Sequence, residues 1–417
     1  MRFGSFLAPH HPLGEDPMLQ FRRDLDFVEQ LDRLGYDEFW CGEHHSTGWE
    51  MIASPEMFLA AAGERTHRIM LGTGVTSLPY HTPFNVAQRM VQLDQMTGGR
   101  AMFGSGPGAL PSDADMLGID PLRQRDMQDE ALGVIRRLMR GEAVTHETDW
   151  FTLRDAELPI LPRQQDVPMA VASSISPSGM KLAGKYGIGV LSIASNSAEG
   201  LLALPTQWAF AEAAAAEYAT SGGNADRSQW RVLMSWHLAE TKKQAHAEAV
   251  EGLQRWNNEY NVRVIGRPSS VHVDDKWALL NATDSATSGG LSTAVIGTPD
   301  EMIDAVKKMM DITGGCGTIL GFAHDWANPE NSQRSWDMFA RYVIPEINGY
   351  TASLNRSAKR VEANKVRLMA GAGAAIIAQI KRDPKASDAF RITQQQASRL
   401  GTGASAAASA ALTESEK

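Results

Sequence analysis

Apolar residues switch between two spacings along this chain. Arg2–Leu7 carries Phe3 and Phe6 among small residues and reads as a strand. Phe21, Leu25, Val28, Leu31 and Leu34 then follow at intervals of three and four, the spacing of one helix face. Gly35 stands where a left-handed residue ends a helix. The same reasoning predicts strands at 37–41, 69–73, 101–105, 168–173, 188–192, 230–239 and 317–321. It predicts helices at 55–66, 83–96, 120–140, 177–186, 197–220, 241–260, 299–313 and 332–343. Strands separated by helices pair in parallel, because each crossover returns the chain in the same direction. Eight such strands suit a closed α/β architecture, the (β/α)8 TIM barrel, better than an open doubly wound sheet.

Two stretches break the rhythm. Glu142–Arg163, with Trp150, Phe151 and Leu153, predicts a hairpin excursion over the rim. Asn261–Thr293 is polar, rich in Gly and Ser, and poor in helix signals; a loop of that length is expected to serve as a mobile lid. From Thr351 the chain becomes Ala-rich and basic. The expected organisation is a barrel over 1–348, a helical extension over 349–395 suited to assembly, and a disordered tail over 396–417.

Composition narrows the partners. Of 417 residues 43% are hydrophobic and 21% charged, as in an ordinary soluble protein. A net charge of -9 disfavours nucleic acid and anionic membrane. The two cysteines, Cys41 and Cys316, give no disulfide framework, so a reducing cytoplasm is expected. No signal-peptide pattern opens the chain, and no apolar run reaches the roughly 18–20 residues that span a bilayer.

The candidate chemistry gathers where predicted strands end. Trp40-Cys41-Gly42-Glu43-His44-His45 sets two imidazoles just past the strand at 37–41. Active sites in α/β folds sit at that rim. An imidazole of pKa about 6.5 can exchange a proton near neutral pH; a hydrogen-bonded structural histidine is the alternative. Gly72-Thr73-Gly74-Val75 and Gly104-Ser105-Gly106-Pro107-Gly108 follow the next two strands. Such glycines either let a flat ring approach the backbone or simply make tight turns. Ser173-Ser174-Ile175-Ser176-Pro177 precedes a helix, with Pro177 suited to its first position and Ser176 to its N-cap. Hydroxyls at a helix start hold an anion or only cap the helix. Phe6, Trp40, Leu110 and Ile193 near strand ends either line an apolar pocket or fill the core. The glycine loop lacks the third glycine of a dinucleotide fingerprint, and no metal-ligand or serine-hydrolase motif is present, so no metal is expected.

Taken together, Met1-Arg2-Phe3-Gly4, Glu43-His44-His45, Leu93-Asp94-Gln95-Met96 with Gly99-Arg100, and Ile296-Gly297-Thr298-Pro299 resemble the bacterial luciferase-like flavin monooxygenases over about residues 1–345. Tyr36-Asp37-Glu38, Leu78-Pro79-Tyr80-His81 and Gly106–Asp113 are most similar to the limonene 1,2-monooxygenase-like branch. The resemblance implies a (β/α)8 barrel, His44 as the catalytic histidine, and Gly74 and Val75 as a bulge, often a non-proline cis peptide, beneath the flavin. Ser105 and Gly106 would flank the ring, and Ser173 and Ser174 would form the phosphate segment. Pro107 stands where the family has a phosphate-contacting arginine, Ser173 where it has an acid, and Gly106 where luciferase has its reactive cysteine. Other groups must therefore anchor the phosphate.

The implied cofactor is reduced FMN, with FAD as the alternative; NAD(P)H would act only through a separate flavin reductase. With O2 a flavin C4a-hydroperoxide would epoxidise or hydroxylate a small apolar substrate, such as a terpene or alkene, while the 261–293 segment excludes water. A deazaflavin (F420)-dependent oxidoreductase on the same barrel, or a catalytically silent partner subunit, are the other readings. A homo-oligomer, dimer or tetramer, built through helices 55–66 and 83–96 is expected.

Overall fold

The strand–helix alternation closes on itself. The computed structural model describes residues 1–8, 10–285 and 290–399. It divides into Met1–Asn348 and Gly349–Lys417. In chain order the strands are β1 (Arg2–Leu7), β2 (Glu38–Cys41), β3 (Met70–Thr73), β4 (Thr76–Ser77), β5 (Ala101–Gly106), β6 (Val144–Glu147), β7 (Thr152–Ala156), β8 (Met169–Ser173), β9 (Gly189–Ser192), β10 (Trp230–Leu238), β11 (Ala294–Gly297) and β12 (Thr318–Ala323). Eight of them, β1-β2-β3-β5-β8-β9-β10-β12, pair in parallel, and the β12–β1 pairing closes the ring. The expected barrel is therefore present.

Alternation along each strand separates two cores. Phe6, Trp40, Met102, Leu191, Leu233 and Phe322 meet inside the ring, while Phe3, Phe39, Phe103, Val190 and Val232 face the surrounding helices. Trp40 spans the interior. A Cβ on Gly72 would lie 2.5 Å from the Trp40 ring, and one on Gly104 would lie 2.1 Å from Thr73 O and 3.1 Å from that ring. Below it, Arg231 pairs with the buried Glu38 at 2.6 Å and its guanidinium lies 4.9 Å from the Trp40 ring centroid. Burial opposes ionisation of Glu38, but Arg231 and Arg2 outweigh it and hold the carboxyl below its usual range.

The helix ends follow local chemistry. Pro17–Leu34 starts at Asp16, whose side chain accepts from Met18 N, and stops at Gly35 with φ 86°. Pro299–Thr313 begins with a capping box between Thr298 and Glu301.

Several expectations change. The 261–293 stretch is not a structureless loop. A π-helical segment, Trp256–Val264, extends the helix Lys242–Arg255, and Lys276–Asp284 is a helix started by Asp275, which accepts from Trp277 N and Ala278 N. β11 then pairs with β10 outside the closed ring. The expected helix 241–260 covers the start of this segment; its continuation to Val264 and the helix Lys276–Asp284 rest on few buried side chains, Tyr260 and Leu280 among them, too few to set a period. Ala286–Gly289 lie outside the described residues. The hairpin forms from β6 and β7, but it lies between helix Gln124–Met139 and β8, at the amino end of the barrel. The helix expected at 120–140 begins at Gln124, and Pro111–Met116 forms a short helix before it.

In the second unit, helices Ala352–Arg382 and Pro384–Arg399 follow one another, with the break at Asp383-Pro384, where proline removes a backbone donor. Residues 396–399, expected in the tail, are helical; 400–417 lie outside the described residues. Among the described residues no helix is long and apolar enough to cross a membrane.

Candidate active site

The turns after β2, β3 and β5 meet at the carboxyl end of the barrel. Gly74 N donates to Cys41 O at 2.6 Å, which lays the turn after β3 against the one after β2. The Gly74–Val75 peptide is cis. Buried Glu43 joins the same two turns: Oε2 accepts from Ser77 N at 2.8 Å, and Oε1 lies 2.8 Å from His45 Nε2 and 2.7 Å from His81 Nε2. Burial opposes ionisation of Glu43, but the two imidazoles and the Ser77 amide hold it below the usual carboxylate range.

His44 turns the other way. Its Nδ1 lies 3.0 Å from Asp113 Oδ2 and its Nε2 lies 3.3 Å from Glu50 Oε1. Burial disfavours the imidazolium, yet Glu50 and Asp113 outweigh burial and raise the pKa above its ordinary value. Nδ1 then donates to Asp113, while Nε2 faces the Glu50 carboxylate as an ion-pair contact. Asp113 comes from the short helix after β5, is 1% exposed, and also accepts from His45 N at 3.1 Å and Ser46 Oγ at 2.5 Å. These donors offset its burial and keep it ionised. Glu50 Oε1 lies 2.9 Å from His10 Nε2, so one carboxylate bridges two imidazoles. Tyr260 stacks obliquely on His10, with ring centroids 4.4 Å apart. Burial first, and the Glu50 charge second, push its phenol far above the ordinary pKa.

The other sequence candidates divide. Phe6 and Ile193 belong to the inner apolar cluster together with Val75 and Trp256. Trp40 belongs to it too, but fully buried, so it fills the barrel beneath the mouth. Leu110, 8% exposed, precedes the Asp113 helix. Gly106 makes room for Val75: a Cβ there would lie 2.4 Å from Val75 Cγ2. Gly72 and Gly104 likewise accommodate Trp40 before any ligand. Ser105 lies between Gly104 and Gly106 of the inner face, so strand alternation turns it outward, away from the mouth. Ser173 also faces outward, its Oγ donating to Gln207 Oε1 at 3.4 Å. Ser174 is exposed at the strand end, and its carbonyl accepts from Gln207 Nε2. The next helix is Ser178–Tyr186, preceded by Pro177, and no side chain caps it; Ser176 instead meets Ser178 Oγ at 2.9 Å.

These residues fit a flavin. Ser235 lies on the inner face of β10 and Trp256 packs onto the inner cluster, and both Ser235 Oγ and Trp256 Nε1 are buried without a protein partner. They are polar groups in an apolar mouth that a heteroaromatic ligand would satisfy. The uncapped amides at Ser178, with Ser174, Ser176 and Ser178 around them, suit a phosphate.

Sequence reading passed over Asp113, Glu50, His10 and Tyr260. Asp113 stood in a quoted motif without a role; a carboxylate just after Pro111 at a rim helix was its available signal. Nothing local marks Glu50 or Tyr260.

The luciferase-like monooxygenase family matches residues 1–314. The chain is 46% identical over 371 residues to a 4-hydroxyprotoasukamycin monooxygenase of Streptomyces nodosus subsp. asukaensis, covering 87% of this chain and 98% of the relative. It is 45% identical over 347 residues to limonene 1,2-monooxygenase of Rhodococcus erythropolis, covering 83% and 87%. Among solved structures, the oxygenating constituent of 3,6-diketocamphane monooxygenase from Pseudomonas putida, in complex with FMN, superposes with a TM-score of 0.68 at 25% identity, covering 83% of this chain and 98% of that one. By this match over most of its length, and by the barrel that carries it, the chain belongs to the luciferase-like monooxygenases.

Proposed function

We propose that this chain is the oxygenase of a two-component system, which takes reduced FMN, or FAD, from a separate flavin reductase and uses O2 to epoxidise or hydroxylate a small apolar substrate of the terpene or alkene class. The observation that carries the reading is the imidazole of His44, held between Asp113 and Glu50 just past β2, the strand that pairs with β3 and its Gly74–Val75 turn. The similarity to a limonene monooxygenase supports the substrate class, and the similarity to an FMN complex supports the cofactor. Bound at the mouth, reduced flavin supplies the two electrons with which one atom of O2 enters substrate and the other leaves as water.

The protein supplies binding, dryness and a proton. Gly74, Val75, Phe6 and Ile193 give the ring and the substrate an apolar bed. Ser174 and the amides from Ser178 onward receive the phosphate. Asp113 fixes the Nδ1 proton of His44, so Nε2, on the longer contact to Glu50, is the nitrogen free to exchange a proton. Glu50 and His10 stand behind it as the route of resupply. Trp256 and Tyr260 wall that side against water.

The test is anaerobic titration with reduced FMN and reduced FAD, then admission of oxygen with limonene and a panel of alkenes. Saturable flavin binding and oxygenated product are expected. His44→Ala should still bind reduced flavin but lose about 10²–10⁴-fold in product formation. Unchanged product per reduced flavin in that variant removes His44 from the chemistry. Binding of reduced F420 in place of either flavin would favour hydride transfer.

A further inference from the structure

The amino end of the barrel, opposite the His44 mouth, holds a cavity of about 450 Å³. It opens where β1, β8 and β10 begin, and four arginines line it: Arg2, Arg136, Arg140 and Arg231. In this fold that end serves stability and not catalysis. Arg2 and Arg231 are committed there, since both hold Glu38.

Arg136 and Arg140 are not. Nearby cations are neutralised: Arg137 meets Glu142 at 2.7 Å, and Lys185 meets Asp129 at 2.7 Å. Among the described residues neither Arg136 nor Arg140 has an ion pair within 4.0 Å. Arg136 lies over the face of Tyr186, 4.9 Å from its guanidinium carbon, and feels the Asp166 carboxylate without an ion pair to it. The two lie four residues apart at the carboxyl end of helix Gln124–Met139, so their like charges share one face and repel. A helix carboxyl end favours a cation, which accounts for one arginine but not for an opposed pair over an open cavity. Burial lowers the Arg136 pKa, and Arg140 lowers it further. Asp166 is the single acid on the cavity wall among the described residues. This cationic wall belongs to a chain of net charge -9.

We infer that this cavity binds an organic phosphate monoester, with its head between Arg136 and Arg140 and its body against Met139, Val167 and Ile188. A phosphate monoester carries about -1.5 to -2 charge at pH 7 and three acceptor oxygens, which matches two guanidinium forks. A monocarboxylate would leave one arginine uncompensated. The volume exceeds what a lone oxyanion fills and falls in the range of ligand sites, roughly 300–1,000 Å³. The parallel strands put the site at the far end from the mouth, so its occupancy does not block a flavin held at the mouth.

The test is titration calorimetry of the full chain with AMP as probe and inorganic phosphate and benzoate as controls. AMP binds saturably, and the two controls bind at least about tenfold more weakly. Arg136→Gln/Arg140→Gln weakens AMP by at least about tenfold and leaves reduced-FMN affinity unchanged. Arg140→Glu, at an exposed position, weakens it as well, which keeps the test decisive should the double variant fold poorly. Absence of saturable AMP binding, equal binding of phosphate or benzoate, or AMP affinity unaltered by Arg140→Glu would each overturn the inference.

Discussion

Asp113→Asn isolates the charge beside His44 while preserving shape. The carboxylate is 1% exposed and accepts from His44 Nδ1 at 3.0 Å, from the His45 amide and from Ser46. Asparagine keeps one acceptor oxygen and loses the charge. A hydrogen bond to a charged group contributes about 1.5–3 kcal/mol, against about 0.5–1.5 for a neutral one. The difference, roughly 1–1.5 kcal/mol, corresponds to about one pH unit at about 1.4 kcal/mol per unit. The pKa of His44 is raised in the folded protein, so the imidazolium persists at low pH and is lost as pH rises through that value. If the imidazolium gives the proton, oxygenation falls on the alkaline side, and Asp113→Asn moves that fall about one unit toward acid with the low-pH plateau retained. The His44 contribution to stability has the same sign: full below the ordinary value of about 6.5, and gone above the folded one. Product per reduced flavin across pH, together with an NMR titration of the His44 ring, reads both. Superimposable profiles and equal ring midpoints in the two proteins would refute the reasoning.

Three further outcomes follow from the barrel. Arg231→Met leaves Glu38 buried with only Arg2, at 3.2 Å, and the Trp40 N–H, and should cost about 3–5 kcal/mol in urea unfolding. Adding Glu38→Leu should restore much of it, and a double variant no more stable than the single would contradict a buried-charge penalty. Gly104→Ala puts a Cβ 2.1 Å from Thr73 O and against Trp40; thermal melts should show a loss of roughly 1–3 kcal/mol, and an unchanged Tm would mean the barrel interior has slack. We expect a homo-oligomer through helices Pro55–Arg65 and Pro83–Met96, where Met57 is 75% and Met96 51% exposed. A monomeric sedimentation profile at micromolar concentration would exclude it.

Sequence alone determined the closed alternation of strands and helices, the Gly35 stop and the place of His44 at a strand end, because periodicity and caps are written into neighbouring residues. It could not distribute the glycines. Gly72 and Gly104 read as room for a ring, and the ring they admit first is Trp40, from a different strand. Nor could it tell which side of a strand Ser105 faces, since that depends on where the neighbouring strands place the mouth. The continuation past Tyr260 and the helix Lys276–Asp284 leave no clear period in the sequence because few of their side chains are buried. Asp113, 69 residues after His44, and Tyr260, far later in the chain, converge on the rim only once the barrel has closed. A hydrogen bond's partners are set by distance in space, and in a parallel barrel that distance is fixed by which strands become neighbours, not by how far apart they lie along the chain.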